Sequence, residues 1–183
     1  MKSSLLFKTF AFFIIFTVSL CSLAEQTHQD QLPIVFIQQG WGSLGINTAV
    51  VPSETTKPRP IIINGKKYEK GLGSHAPGRI DMDVFEGYET FRAKVGVQNG
   101  NSKGSVVFQV YLDGKKAFDS GVMTETDPPK KVEVSLKDVY QLVLVMTDAG
   151  DGMTGDVANW ADLQLVKSTE NNNRLQQLFD IAP

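Results

Sequence analysis

Apolar and polar residues alternate along much of the chain, and a repeat of two residues is typical of β-strands. The segment 142–146 is apolar on both faces, which predicts a central strand. Short strands with turn signals between them predict an all-β fold, a β-sandwich. The segments that carry the pattern are 91–97, 106–112, 132–136, 142–146 and 161–165.

Two dipeptides mark tight hairpin turns, Asn64-Gly65 and Asp113-Gly114. Both central residues of the favoured two-residue turn take a positive φ, which Asn, Asp and Gly adopt more readily than other residues. Ile61–Ile63 and Lys66–Tyr68 flank the first turn and are predicted to pair as a β-hairpin. The short apolar run Ile34–Ile37 predicts a further strand near the start of the fold.

The first 24 residues predict a secretory signal peptide. Lys2 and Lys8 precede the apolar run Phe10–Leu20, and small residues in Ser22-Leu23-Ala24 suit a cleavage site after residue 24. The apolar run is shorter than the roughly 20 residues that a membrane-spanning helix needs, so we expect no membrane span. The protein is therefore expected to be secreted or periplasmic.

The chain behind residue 24 divides into three parts by composition. Residues 25–39 predict a polar leader and a first short strand, residues 40–167 the sandwich, and residues 168–183 a polar C-terminal tail. Cys21 is the only Cys and leaves a lipoprotein anchor open, although Leu20 stands where such signals have a small residue. An exported domain without disulfides depends on its core or on a bound metal for stability.

Charge and motif content exclude several classes of function. The 18 basic and 20 acidic residues give a formal net charge of −2, which argues against a nucleic-acid partner. Gly40, Gly42 and Gly45 spell the G-x-G-x-x-G fingerprint, but a dinucleotide site needs a helix there, and Pro52 follows too soon. With two His and no G-x-S-x-G motif, we expect no enzyme. A glycosidase that uses two carboxylates is the alternative.

The loop from Asp148 to Asp162 places four Asp and three Gly between two predicted strands. Carboxylates held this close repel one another unless a cation lies among them. Carboxylate and backbone oxygens of a Gly-rich loop are the ligands that Ca²⁺ prefers. The residues leave two interpretations open, a calcium site and a solvated acidic turn.

Several aromatic and polar side chains are candidates for sugar contacts. Trp41 lies between two Gly, which favours an exposed ring on which the apolar face of a pyranose can stack. Trp160 begins a predicted strand and is either a core residue or a second stacking platform. His75 is either a buried ring bonded to the backbone or a partner of a sugar hydroxyl. Gln98 and Asn99 follow a strand and are either turn residues or ligand contacts.

Seven segments in order carry a specific resemblance, although each alone is weak. Together they resemble the NPCBM family of carbohydrate-binding modules, over residues 40 to 166. The segments are GWG at 40–42, INGKKYEKGLGSHA at 63–76, FRAKVGV at 91–97, GSVVFQV at 104–110, DGKK at 113–116, DSGVM at 119–123 and the loop 148–162.

The resemblance implies a jelly-roll-like β-sandwich, a structural Ca²⁺ and binding of galactose-type sugars, often beside a glycoside hydrolase domain. It makes Asp148, Asp151 and Asp156 the candidate metal ligands, and it adds Asn159 to the candidate sugar contacts. The chain departs from the family at 156–160, where DVANW replaces the usual Asp-His-Ala-Asp-Trp. The departure removes a hydrogen-bonding ring at Val157 and a charge at Asn159.

These observations predict an exported, non-catalytic protein that binds a galactose-type glycan. Its expected partners are a glycan and either a glycoside hydrolase or a cell-surface protein. Because Val157 and Asn159 depart from the family pattern, one alternative is an interaction module of the same fold that has lost sugar binding. A small secreted glycosidase is the other alternative.

Overall fold

The computed structural model describes residues 32–85, 87–100 and 104–167, which form strands, turns and no helix. This part of the chain therefore contains no helix that could cross a membrane. The strands are β1 (Ile34–Gln39), β2 (Gly45–Ile46), β3 (Ile61–Ile63), β4 (Lys66–Tyr68), β5 (Gly71–His75), β6 (Gly78–Asp83), β7 (Tyr88–Val97), β8 (Ser105–Leu112), β9 (Lys115–Thr124), β10 (Lys130–Ser135), β11 (Gln141–Thr147) and β12 (Val157–Lys167).

Two five-stranded antiparallel sheets pack face to face. The first sheet has the order β1-β6-β11-β8-β9, and the second has the order β10-β7-β12-β5-β2. Strands β3 and β4 pair separately as a hairpin. The predicted all-β sandwich is confirmed, and β11 lies at the centre of the first sheet, as its continuous apolar sequence predicts.

The core between the sheets is centred on Trp160 of β12, which is fully buried. The ring centroids of Phe91 and Phe108 lie 6.2 and 5.5 Å from the Trp160 centroid. The indole N–H donates to the sulfur of Met146 at 2.9 Å, so the polar atom of the ring has a partner inside the core. Trp160 thus joins both sheets through aromatic contacts.

Strand β12 exchanges its inner and outer faces at Asp162. The φ of Asp162 is 48°, and the pairing of β12 with β7 slips at this point. Ala158 and Trp160 face the core before the bulge, and Leu163 and Leu165 face it afterwards. A bulge adds one residue to one strand and so shifts the alternation by one position.

Residues 46–68, here termed the covering segment, cover part of the outer face of the second sheet. The hairpin of this segment packs Ile61 and Ile63 against Ala161 of β12. Gly96 of β7 makes this approach feasible, because a Cβ at that position would lie 2.3 Å from the Ile63 side chain. The covered part of the second sheet is therefore buried on both faces, whereas Arg92 and Glu133 remain exposed on its outer face.

Both predicted hairpin turns are confirmed. Asn64 and Gly65 have φ values of 47° and 76°, and Asp113 and Gly114 have φ values of 47° and 78°. Positive φ at both central residues is the geometry that matches the twist of paired antiparallel strands. These turns set the register of β3 with β4 and of β8 with β9.

The connections between strands form two ends of the sandwich. The first, termed the loop end, contains residues 40–44, 75–78, 98–100 and 148–156. The second, termed the base, contains residues 84–85, 113–114 and 136–140. Pro33 and Lys167 line one cavity at the base, so the described part of the chain enters and leaves the fold there.

Four strands, β2, β5, β6 and β9, were not expected from the alternation. Strand β5 contains Gly71 and Gly73, and Gly is depleted in strands. A Cβ on Gly73 would lie 2.4 Å from the backbone of Ala49, so close approach of the covering segment accounts for this glycine. The predicted signal peptide, most of the predicted leader, and the predicted tail lie outside the described residues.

Candidate functional site

Trp41 lies at the loop end, directly after β1, and remains 45% exposed. The side chain of Gln39 holds this turn in place. Its amide nitrogen donates to the carbonyl oxygen of Trp41 at 3.0 Å, and its amide oxygen accepts from the Ser74 hydroxyl at 2.9 Å. The backbone that carries the half-exposed indole is therefore bonded, through Gln39, to the ends of β1 and β5.

His75, the last residue of β5, lies edge-on to Trp41. The two ring centroids are 5.5 Å apart, and the ring planes make an angle of 64°. Nδ1 of His75 lies 2.7 Å from the carbonyl oxygen of Ala76, which can only accept, so Nδ1 is the donor in this bond. The other ring nitrogen, Nε2, is left to bond a ligand.

The combination of Trp41 and His75 suits a small polar ligand that has one apolar face. An indole supplies a flat apolar surface, and a buried imidazole nitrogen supplies a directed hydrogen-bonding partner for a hydroxyl. Because the residues that hold both rings are in strands or directly beside them, the site is organised before a ligand arrives. The structure thus brings together two of the six predicted sugar contacts.

The acidic loop of residues 148–156 folds back against the first residue of β8. Ser105 makes two contacts with it: its backbone N–H donates to Asp156 Oδ1 at 2.9 Å, and its hydroxyl donates to Asp151 Oδ2 at 2.8 Å. The backbone N–H of Ala76 donates to the carbonyl oxygen of Asp156 at 2.9 Å. The acidic loop is thereby tied to the strand end that carries His75.

The carboxylate of Asp156 is fully buried. Within the described part of the chain, its Oδ2 has no hydrogen-bond partner. Burial raises the pKa of the Asp156 carboxyl above its ordinary value, and the charges of Asp151 and Asp148 add to this rise. The bond from Ser105 and the nearby His75 oppose it. A buried carboxylate oxygen without a partner is costly unless a proton, a water or a cation meets it.

A cation in this loop would be held mainly by Asp156, not by three converging carboxylates. Among the residues that the structure describes, no three His, Cys, Asp or Glu side chains converge as a metal site. Asp148 Oδ1 accepts from the N–H of Gly150 at 3.1 Å, and one oxygen of Asp151 is engaged by Ser105. A Ca²⁺ at Asp156 would take further oxygens from the backbone or from water, as this ion readily does.

Trp160 is not a sugar platform, which corrects one of its two sequence interpretations. Its ring is fully buried between the sheets. The position at the start of a strand did not reveal which face the ring would take. Trp160 belongs to the core.

Gln98 and Asn159 are also structural, because the covering segment buries both side chains. Gln98 Oε1 accepts from the N–H of Ile62 at 3.1 Å and from Asn159 Nδ2 at 2.9 Å. Gln98 Nε2 donates to the carbonyl oxygen of Pro60 at 3.1 Å. These bonds attach the covering segment to the second sheet, so the two predicted sugar contacts serve packing instead.

Asn99 joins two turns rather than facing the Trp41 ring. Its side-chain oxygen accepts from the N–H of Gly65 in the β3–β4 turn. Its side-chain nitrogen donates to the carbonyl oxygen of Glu125 at 3.0 Å. The interpretation of Asn99 as a turn residue describes these contacts, and the structure offers no link between this residue and His75.

The two departures from the family pattern lie away from the solvent. Val157 is 4% exposed and packs with Ala49 and Val50 of the covering segment. Asn159 is buried beside Gln98. The departures therefore alter the contact between the second sheet and the covering segment, not the exposed surface around Trp41.

Three strand residues beside the loop end were missed by sequence reasoning: Gln39, Ser74 and Ser105. Gln39 and Ser74 hold the Trp41 turn, and Ser105 holds the acidic loop. Gln39 lies 35 positions from Ser74, and Ser105 lies 46 and 51 positions from Asp151 and Asp156. No local pattern signals such bonds, because they depend on how distant strands pair.

The profile of the NPCBM/NEW2 domain matches residues 25–166. The chain is also similar to alpha-1,3-galactosidase B of Akkermansia muciniphila, with 32% identity over 107 residues. That alignment covers 56% of this chain and 14% of the galactosidase, so the chain corresponds to a small part of that enzyme.

Two solved structures from Clostridium perfringens resemble the fold. The CBM51 module of a GH95 enzyme, in complex with methyl-galactose, has a TM-score of 0.69 at 30% identity and covers 78% of this chain and 100% of the module. The second CBM51 module of ZmpB with its INT domains, in complex with GlcNAc, has a TM-score of 0.69 at 25% identity and covers 86% of this chain and 36% of that chain.

Proposed function

Because this chain belongs to the NPCBM/NEW2 domain family, we propose that it binds a galactose-type sugar at the loop end, with Trp41 as the stacking ring. The fold is that of a carbohydrate-binding module. The observation that carries the proposal is the 45% exposed indole of Trp41, whose ring centroid lies 5.5 Å from that of His75. The related module in complex with methyl-galactose supports the choice of sugar.

Binding at this site should be weak and should not involve catalysis. One exposed ring and a few polar groups leave little surplus over the cost of association, so we expect a Kd of about 10 μM to 1 mM. Useful strength would then come from several sites acting together, or from clustered glycans. The proposed role is to hold a glycan, either for an associated glycoside hydrolase or at a cell surface.

A glycan array followed by calorimetry tests the proposal. The wild type should bind galactosides, Trp41→Ala should lose this binding, and Tyr140→Ala should keep it. Tyr140 is a matched control because it is 60% exposed and lies at the base. If no glycan binds while a specific protein is captured, the alternative of an interaction module without sugar binding is correct. Sustained release of reducing sugar by pure protein would instead support the glycosidase alternative.

We also propose that Ca²⁺ binds at Asp156, with Asp148 and Asp151 nearby, and has a structural role. Bound there, the ion would supply positive charge to a buried carboxylate and fasten the acidic loop to the start of β8. Ligand at 100 times its Kd stabilises a fold by about 2.7 kcal/mol. Excess chelator should therefore lower the melting temperature by several degrees. An unchanged melting curve would show that Ca²⁺ does not stabilise the fold.

Export of the protein remains part of the proposal. The lysines, apolar run and small residues in the first 24 positions are those of a secretory signal peptide. Expression of the full chain in a bacterial host, followed by N-terminal sequencing of the extracytoplasmic fraction, should give a chain that starts at Glu25. Recovery of uncleaved protein from the cytoplasm would contradict it.

A further inference from the structure

The two sheets differ in what lies on their outer faces. The covering segment buries part of the outer face of the second sheet, as the packing of Ile61 and Ile63 on Ala161 shows. On the first sheet, the described chain leaves a cavity of about 330 Å³ open on the outer face. We call this cavity the sheet-face groove. It is lined by Arg79, Tyr111, Gly114, Gln141, Val143 and Val145.

The strand register explains how the groove forms. Val143 of β11 pairs with Asp81 of β6 and with Tyr111 of β8, so all three side chains share one face. In the next row, Val145 pairs with Arg79 and Gln109. The groove therefore runs along β11, with two valines as its floor and taller side chains of β6 and β8 as its walls. Walls two strand spacings apart are about 10 Å from each other.

The walls are held in place by hydrogen bonds that run along the face. On β6, Arg79 makes a bidentate pair with Asp81, with Nε and a terminal nitrogen 2.7 and 2.9 Å from the two carboxylate oxygens. On β8, the Tyr111 hydroxyl donates to Gln109 at 3.0 Å, and Gln109 in turn donates to Asp119 at 2.9 Å. Side chains already ordered in this way lose little entropy when a ligand binds.

The floor is apolar and almost closed to solvent, although no other layer of the described chain covers it. Val143 is 3% exposed on this outer face, because Arg79 and Tyr111 stand beside it. A narrow apolar floor between a planar guanidinium and a phenol ring fits a ligand that is thin, partly apolar and rich in hydrogen-bonding groups. The volume of the groove lies at the lower end of the range for small-molecule sites.

Charge and hydrogen-bonding capacity narrow the class of ligand further. Arg79 and Lys116 are paired with Asp81 and Asp119, so neither of these cations is left to attract an anionic ligand. Arg79 keeps N–H groups beyond the two that bond Asp81, and the Gln141 side chain offers an amide donor and acceptor at one end. A hydroxyl both donates and accepts, so a row of hydroxyls matches these groups.

We propose that the sheet-face groove is a second binding site, which takes a neutral, linear oligosaccharide along β11. The site is separate from the loop end and does not depend on Trp41. Sugar rings lie over Val143 and Val145, with the Tyr111 ring beside them, and their hydroxyls bond Arg79 and Gln141. Because the groove follows the strand, its affinity rises with the number of linked sugars. At a site for one terminal sugar, affinity would not depend on chain length in this way.

Chemical-shift mapping with ¹⁵N-labelled protein tests this proposal. The probes are cellohexaose, xylohexaose, mannohexaose and a hexasaccharide of alternating galactose and N-acetylglucosamine, each at about 5 mM because weak binding is expected. At least one chain should shift the amide resonances of Val143 and Val145. Its disaccharide should bind more weakly, and Trp41→Ala should not change these shifts, which separates this site from the loop end.

Two variants and a control locate the effect. Tyr111→Ala should weaken binding of that chain about tenfold, the usual size of an aromatic contact. Gln141→Ala, at an exposed position, should also weaken it and carries little risk to folding. Val122→Thr should leave the affinity unchanged, because Val122 is 58% exposed on the edge strand β9, outside the groove.

Three outcomes overturn the proposal. The first is that none of the four chains shifts the β11 resonances. The second is that both groove variants bind as tightly as the wild type. The third is that a neutral extended peptide of Gly and Ser shifts these resonances more strongly than any sugar chain. The last result would assign the groove to a peptide. Loss of loop-end binding alone leaves these shifts unaffected, so failure of one site is distinguishable from failure of the other.

Discussion

Removing the two tryptophans one at a time should separate binding from folding. We expect Trp41→Ala to weaken galactoside binding at least tenfold while the protein stays folded at room temperature. Trp160→Ala should strongly destabilise the fold because its ring is fully buried, whereas Trp41 is 45% exposed. The contrast follows from the positions of the rings, at the loop end and between the sheets.

The expected magnitudes follow from the covered area of each ring. A Trp side chain presents about 250 Å². Full burial of Trp160 at about 25 cal/mol per Å² is worth about 6 kcal/mol, and about 4 kcal/mol after allowance for a compact unfolded chain. This agrees with the roughly 3–5 kcal/mol lost in large-to-small core substitutions. On the same reasoning, burial of the covered part of the Trp41 ring contributes about 2 kcal/mol to stability. Its loss in Trp41→Ala should lower the melting temperature by about 4–8 °C.

Calorimetry with methyl-galactoside and urea unfolding provide the two measurements. The Trp41→Ala variant should show a cooperative unfolding transition with an unchanged dependence on urea, and a much weaker sugar affinity. Equal destabilisation by the two substitutions would mean that Trp41 is a core residue. Unchanged galactoside binding by Trp41→Ala would refute the proposed loop-end site.

Three further predictions concern stability. Asp156→Asn should abolish the difference in melting temperature between calcium and chelator, because the substitution removes the buried charge that attracts the ion. Gln98→Leu should lower the free energy of unfolding by about 2–4 kcal/mol in urea titrations, since it leaves several buried partners unpaired. Asp119→Asn should destabilise the protein at neutral pH. Bonds from Lys116, the N–H of Gly121 and Gln109 lower the pKa of Asp119 from 3.8 to about 2. Its stabilising effect is therefore present above the higher value and is lost as the pH falls through the lower one, so thermal melts at pH 2 should show little difference.

Local patterns predicted the parts of the fold that local chemistry determines. The turns at Asn64-Gly65 and Asp113-Gly114 follow from the φ preferences of those residues, and the centrality of β11 follows from its uninterrupted apolar sequence. The glycines of β5, by contrast, kept that strand from being predicted. Gly73 weakens the strand pattern but allows the covering segment to approach, a reason that only the folded chain reveals.

The candidate site was only partly predictable, because exposure depends on distant parts of the chain. Trp41 was expected to be exposed from its flanking glycines, and it is. Asn159 and Gln98 are polar, follow or begin strands, and gave no sign that the covering segment would bury them. The bulge at Asp162 adds a second difficulty, since it reverses the inner and outer positions of β12 within one strand.

The base, where Pro33 and Lys167 lie together, has a practical consequence for how the molecule can be held. A linker attached before Pro33 or after Lys167 would hold the sandwich at the base, opposite Trp41. The indole would then lie far from the attachment point, and reporter or partner domains fused on either side would not cover it. Immobilisation through either end should accordingly preserve sugar capture on a surface.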